Sequence, residues 1–141
     1  MTDLATALER MPHRGAMRLI AGITRADETS IACRGTDHRE TAYPLRLEGV
    51  LHTATLAELG AQAAAAHASI FGMGAAHTGL VLSLSDVVIH HSRPPETAPL
   101  DVTATRTNLM EQMAGYDFEL REGETTLLTG SVLLSLTERR P

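Results

Sequence analysis

The sequence contains no lysine and no tryptophan, and all 12 of its basic residues are arginine. Without lysine, Schiff-base chemistry and a P-loop lysine are excluded. Aromatic residues make up 3% of the chain, too few for a base-stacking platform or an aromatic cage. The formal net charge of −5 at pH 7 argues against nucleic acid as a partner. The single cysteine, Cys33, has no partner for an internal disulfide and reads as a core residue. No apolar run is long enough to span a bilayer. The N-terminal "MTDLATALERMPHR" carries acids early and lacks an apolar h-region, so neither membrane insertion nor secretion is expected and the cytoplasm is the default. No His, Cys, Asp or Glu cluster has metal-ligand spacing, and no metal is expected.

What is present suits one domain spanning residues 1–141, with one core. "TDLATALERMP" predicts a short N-terminal helix ended by Pro12. "AMRLIAGITRA" and "TSIACRG" predict two strands joined through Asp27 and Glu28. Thr36 to Gly49 is polar, is interrupted by Pro44, and reads as an irregular crossing. "LAELGAQAAAAHAS" (Leu56–Ser69) lies in a long helix, about 53–71, stopped by the glycines of "GMGAAHTG". After it come three or four long strands: "GLVLSLSDVVIHH", "LDVTATRTNL", "AGYDFELRE" and "TTLLTGSVLLSLTE". In "AGYDFELRE", Tyr116, Phe118 and Leu120 alternate with Asp117, Glu119 and Arg121. Antiparallel strands beside a segregated helix make the fold class α+β. Alanine has the best helix propensity and lets a sheet approach closely, so this helix is expected to be wrapped by the sheet.

Two phrases carry a family resemblance. "MPHRGAMRLIAGI" is similar to the "PHR-x-x-M-x-L-[IL]" opening of the 3-hydroxyacyl-[acyl-carrier-protein] dehydratase group. "PLRLEGVLHTATLAELGAQAAAAHA" resembles the "G-x-[LV]…E-x-x-A-Q-A" helix of a subgroup linked to aryl-polyene and related lipid pathways, through Gly49, Glu58, Ala61, Gln62 and Ala63. The resemblance implies a hot-dog fold, with the antiparallel sheet wrapped around one long central helix. It implies a homodimer or larger homo-oligomer and a pantetheine-linked acyl substrate on acyl-carrier protein or coenzyme A, with no other cofactor. The implied activity is dehydration of a 3-hydroxyacyl thioester in fatty acid or polyketide-type metabolism.

In that family a histidine and a carboxylate from facing protomers remove the C2 proton and help the C3 hydroxyl leave. Glu58 matches the carboxylate. Gln62 and Thr55 lie one turn to either side of it on the same helix face, and with Gly49 they are candidates for substrate binding. The family's histidine position reads Tyr43 in "YPL", where the closer subgroup often has "HPL", and the glycine-rich "F-P-G" loop is missing. A phenol with a pKa of about 10 is a poor base. His52, just before the helix, is the other candidate partner for Glu58. His38, in the polar crossing, is expected to be exposed; His67 to be a packing or interface residue; His77 to sit in a glycine loop; and His90 and His91 to point to opposite faces. Arg14 and Arg93, with Arg18 and Arg106, are candidates for the phosphate of a pantetheine arm. Two alternatives stay open: a hot-dog thioesterase using a lone helix carboxylate, and a non-catalytic subunit that binds an acyl chain or carrier protein.

Overall fold

The computed structural model describes residues 18–71 and 77–138. The expected N-terminal helix lies outside them. Strands β1 (Ile20–Ala26) and β2 (Ser30–Gly35) form a hairpin. Its turn closes because Asp27 Oδ1 accepts the N–H groups of Thr29 at 3.0 Å and Ser30 at 2.9 Å. These two backbone donors hold the Asp27 carboxyl down at about 2. After the crossing comes a single 3-10 turn, Thr53–Leu56, which runs into helix α1, Ala57–Phe71. Strands β3 (His77–Ile89), β4 (Leu100–Met110), β5 (Met113–Glu122) and β6 (Thr125–Glu138) complete the chain. His77 therefore begins a strand rather than sitting in a loop, because β3 pairs with β6 from that residue onward.

The six strands form one sheet in the order β1-β2-β4-β5-β6-β3, with every neighbouring pair antiparallel. Helix α1 contacts all six strands, and each residue from Leu59 to Ser69 is buried. A helix covered all round has no solvent-facing stripe, which is why Ala61, Ala63, Ala64, Ala65, Ala66 and Ala68 occupy it. The sheet's inner face follows the strand period of two: Ala114, Tyr116, Phe118 and Leu120 of β5 are buried against Leu128, Val132 and Leu134 of β6. Cys33 lies in this core, where burial pushes its thiol up to about 12.

Strand β3 is an edge. Val81, Leu82, Leu84, Val87, Val88 and Ile89 are all exposed. Its pairing with β6 breaks between Ser85 and Val88, around Asp86, whose φ is 52°, as in a β-bulge. Among the described residues no helix is long and apolar enough to cross a membrane.

Candidate functional site around Glu58

Glu58 is half-buried in the first turn of α1, where the helix dipole favours negative charge. One turn on, Gln62 is fully buried. Its Oε1 accepts the Leu19 N–H at 2.7 Å, and its Nε2 donates to Glu58 Oε1 at 3.4 Å. The Leu19 N–H can only donate, so it fixes which end of the amide is oxygen and turns the amide N–H toward the carboxylate. Leu19 in turn accepts the Thr36 N–H at 2.8 Å. The start of β1 and the end of β2 thereby orient the helix carboxylate through Gln62.

Tyr43 is buried in the crossing, and burial pushes its phenol up to about 12. The nearby Thr36 hydroxyl pulls weakly the other way without reaching hydrogen-bond geometry. At neutral pH Tyr43 is therefore a hydrogen-bond donor and not a base. Gly49 occupies a tight turn with Glu48: their φ values of 80° and 51°, between the mutually bonded Leu47 and Val50, match a type I′ turn. His52 is exposed and makes no side-chain cap, while its carbonyl accepts the exposed Thr55 hydroxyl at 2.7 Å. The Thr53 N–H donates to Ser92 O at 3.0 Å, so His52 and the exposed Arg93 flank one backbone bond at the mouth of the helix. Arg14 lies outside the described residues. Arg106 is committed elsewhere: its guanidinium donates to Phe71 O at 2.8 Å and caps the C-terminus of α1.

His38 is not exposed, contrary to expectation. Its side chain has no solvent exposure, and its Nε2 lies 2.5 Å from Oε1 of Glu122, which is equally buried. Glu122 also accepts the N–H groups of Glu96 at 2.8 Å and Thr97 at 3.4 Å. Arg46 folds the crossing inward by donating to the carbonyls of Glu40, Gly49 and His38 and pairing with Glu96. That fastening takes His38 out of solvent. Glu122 continues the inward parity of Tyr116, Phe118 and Leu120 along β5, and that alternation is the signal in the sequence for its burial.

His67 is a buried packing residue, as expected. Nδ1 is 2.6 Å from the Tyr116 hydroxyl and Nε2 is 2.8 Å from Asp27 O. A carbonyl only accepts, so the proton is on Nε2 and the phenol donates to Nδ1. His90 and His91 are exposed beyond β3. A groove of about 470 Å³, lined by Thr103, Thr105, Asp117, Glu119 and Ser131 among others, opens on the sheet face turned away from α1 and does not include Glu58. Among the described residues no cluster could hold a metal ion.

The fold has parallels in solved structures. A chain of the dehydratase heterocomplex ApeI:P from Xenorhabdus doucetiae is similar at 18% identity and a TM-score of 0.77, covering 93% of this chain and 91% of that one. A thioesterase from Haemophilus influenzae is similar at 16% identity and a TM-score of 0.74, covering 98% and 92%. A hypothetical thioesterase from Streptococcus pneumoniae, solved with coenzyme A, is similar at 14% identity and a TM-score of 0.64, covering 84% and 87%. At these identities the likeness is one of fold, and the fold is the hot-dog. No curated protein matches the chain. Residues 6–137 match the model of the ApeP-like family, described as ApeP dehydratase, and the chain belongs to that family.

Proposed function

We propose that this protein catalyses the reversible dehydration of a 3-hydroxyacyl group held as a thioester on acyl-carrier protein or coenzyme A, in fatty acid or polyketide-type lipid metabolism. The observation that carries the reading is the Glu58–Gln62 pair: a carboxylate at the positive end of a buried helix, oriented by an amide that is itself fixed by the Leu19 N–H. Glu58 exchanges the C2 proton. Tyr43, protonated and buried, donates a hydrogen bond to the C3 oxygen in place of the usual imidazole. His52, Thr55 and Arg93 lie on the exposed side of the helix mouth, suited to the pantetheine arm, with Arg14 and the Gly49 turn as further contacts.

The assembly proposed is a homodimer through β3. Among the described residues this strand leaves one edge unpaired and exposes six large apolar side chains, and an edge of that kind is an aggregation hazard unless it is covered. A second copy of the same strand covers it by an isologous contact. The reading is tested by supplying purified protein with 3-hydroxyacyl and 2-enoyl thioesters on both carriers; interconversion is expected, and none on either carrier contradicts it.

One observation favours a second reading. Thioesterases are among the solved structures sharing the fold, and the resemblance of "YPL" to "HPL" puts Tyr43 where the dehydratases have a histidine. Release of free thiol from an acyl thioester, without interconversion of enoyl and hydroxyacyl forms, would select hydrolysis.

A further inference from the structure

We propose that His38, held by Glu122, is a proton-relay residue acting through the Tyr43 hydroxyl on the oxygen that joins or leaves C3 of the acyl chain. This rests on the dehydratase reading above, and it supplies an imidazole that the phrase "YPL" lacks.

The Glu122 carboxylate sets the tautomer of His38. Its contacts to two backbone N–H groups and His38 Nε2 leave it an acceptor only, so the shared proton belongs to Nε2. In the neutral ring the lone pair is then on Nδ1. His38 Nδ1 is buried with no hydrogen-bond partner among the described residues, and the same holds for the Tyr43 hydroxyl. The two rings meet edge-on, with centroids 6.4 Å apart and planes at 78°. An acceptor without a donor thus sits beside a donor without an acceptor, and one water molecule bridging the two satisfies both. A carboxylate orienting an imidazole whose other nitrogen serves a hydroxyl is the arrangement by which side-chain oxygens are made proton-active.

A purely mechanical role explains this less well. Arg46 already fastens the crossing through three carbonyls and Glu96. A buried ionisable pair is weak stabilisation compared with an apolar pair of the same volume.

In the hydration direction every proton has a donor and an acceptor. The oxygen of the attacking water bonds to C3, and its proton passes to the Tyr43 oxygen as the Tyr43 proton passes, through the bridging water, to His38 Nδ1. C2 takes its proton from Glu58. The catalyst is left with a His38 imidazolium paired to Glu122 and a Glu58 carboxylate, and proton exchange with solvent resets it. Dehydration is the reverse, and no oxidant or reductant is involved.

The coupling is read first without turnover, from the nitrogen-15 resonance of His38 Nδ1. Tyr43→Phe is expected to shift it; an unmoved resonance overturns the relay. The kinetic arm is Glu122→Gln, which keeps an oxygen to accept from Nε2 but removes the charge that stabilises an imidazolium. Its kcat for enoyl thioester hydration is expected to fall about 10²–10⁴-fold with KM changed far less. The losses in His38→Gln and Tyr43→Phe are expected not to multiply in the double variant. A lowered thermal midpoint with full kcat in Glu122→Gln would make the pair a latch and overturn the relay. Where Glu122→Gln does not fold, Tyr43→Phe, which removes one hydroxyl, carries the kinetic test. Absence of turnover by the unmodified protein overturns the dehydratase reading, and the Nδ1 resonance still decides whether His38 and Tyr43 are coupled.

Discussion

The Phe118 ring lies so close over Gly60 that a Cβ at position 60 would fall 2.2 Å from Cδ1. The same ring reaches Gly130 on β6, where a Cβ would be 2.9 Å from Cζ. Two missing side chains, one on the helix and one on the sheet, make room for one aromatic ring. Gly60→Ala should therefore destabilise the protein by ~1–3 kcal/mol through overpacking, despite the ~1 kcal/mol that alanine gains over glycine in a helix. Chemical denaturation of the two proteins measures this; a stabilised variant would mean the ring is free to move aside.

The His67 imidazole is held below its ordinary 6.5, chiefly by burial, with the Asp27 carbonyl bond opposing and Arg106 assisting. The folded state resists protonation while the unfolded state takes up a proton below 6.5, so stability is complete above that pH and falls as the pH drops through it. The expected outcome is a thermal midpoint that declines from pH 7.5 to 5.5, with a smaller decline in His67→Gln. Tyr116→Phe leaves Nδ1 of His67 without its donor and should cost ~1–3 kcal/mol at pH 7.5.

Cys33 is 1% exposed and its thiol is pushed up to about 12. In the native protein a thiol reagent should react over hours, and in denaturant with one equivalent at once. Prompt reaction in the native state would place β2 on the surface.

If β3 pairs with a second copy, Val88→Lys should convert dimer to monomer in sedimentation analysis, since Val88 is 53% exposed in the single chain and a charge there enters the contact. An unchanged dimer would move the interface elsewhere.

Much of the fold was legible because it rests on periodicity. The alternation around Phe118 marked β5, and the alanine run with its closing glycines marked α1 as a covered helix, since those signals are local. Glu58 and Gln62 were found by the resemblance of their phrase, which composition alone does not carry. His38 was not legible. Its burial depends on Glu122, far along the chain, and on Arg46 pulling a polar crossing inward. Polar composition predicts solvent for such a segment unless long-range partners are known. Glu122 left a trace in strand parity, but a carboxylate at a strand end next to glycine reads equally well as part of a turn.

The role of Glu58 in dehydration is tested by the absorbance of a 2-enoyl thioester incubated with the protein, beside Glu58→Gln. Hydration bleaches the conjugated chromophore. Bleaching by the unmodified protein is expected, with a loss of ~10²–10⁴-fold in Glu58→Gln, whose thermal midpoint should show it folded. Equal bleaching by both would remove Glu58 from the chemistry, and a flat trace for the unmodified protein on either carrier would contradict the dehydratase assignment.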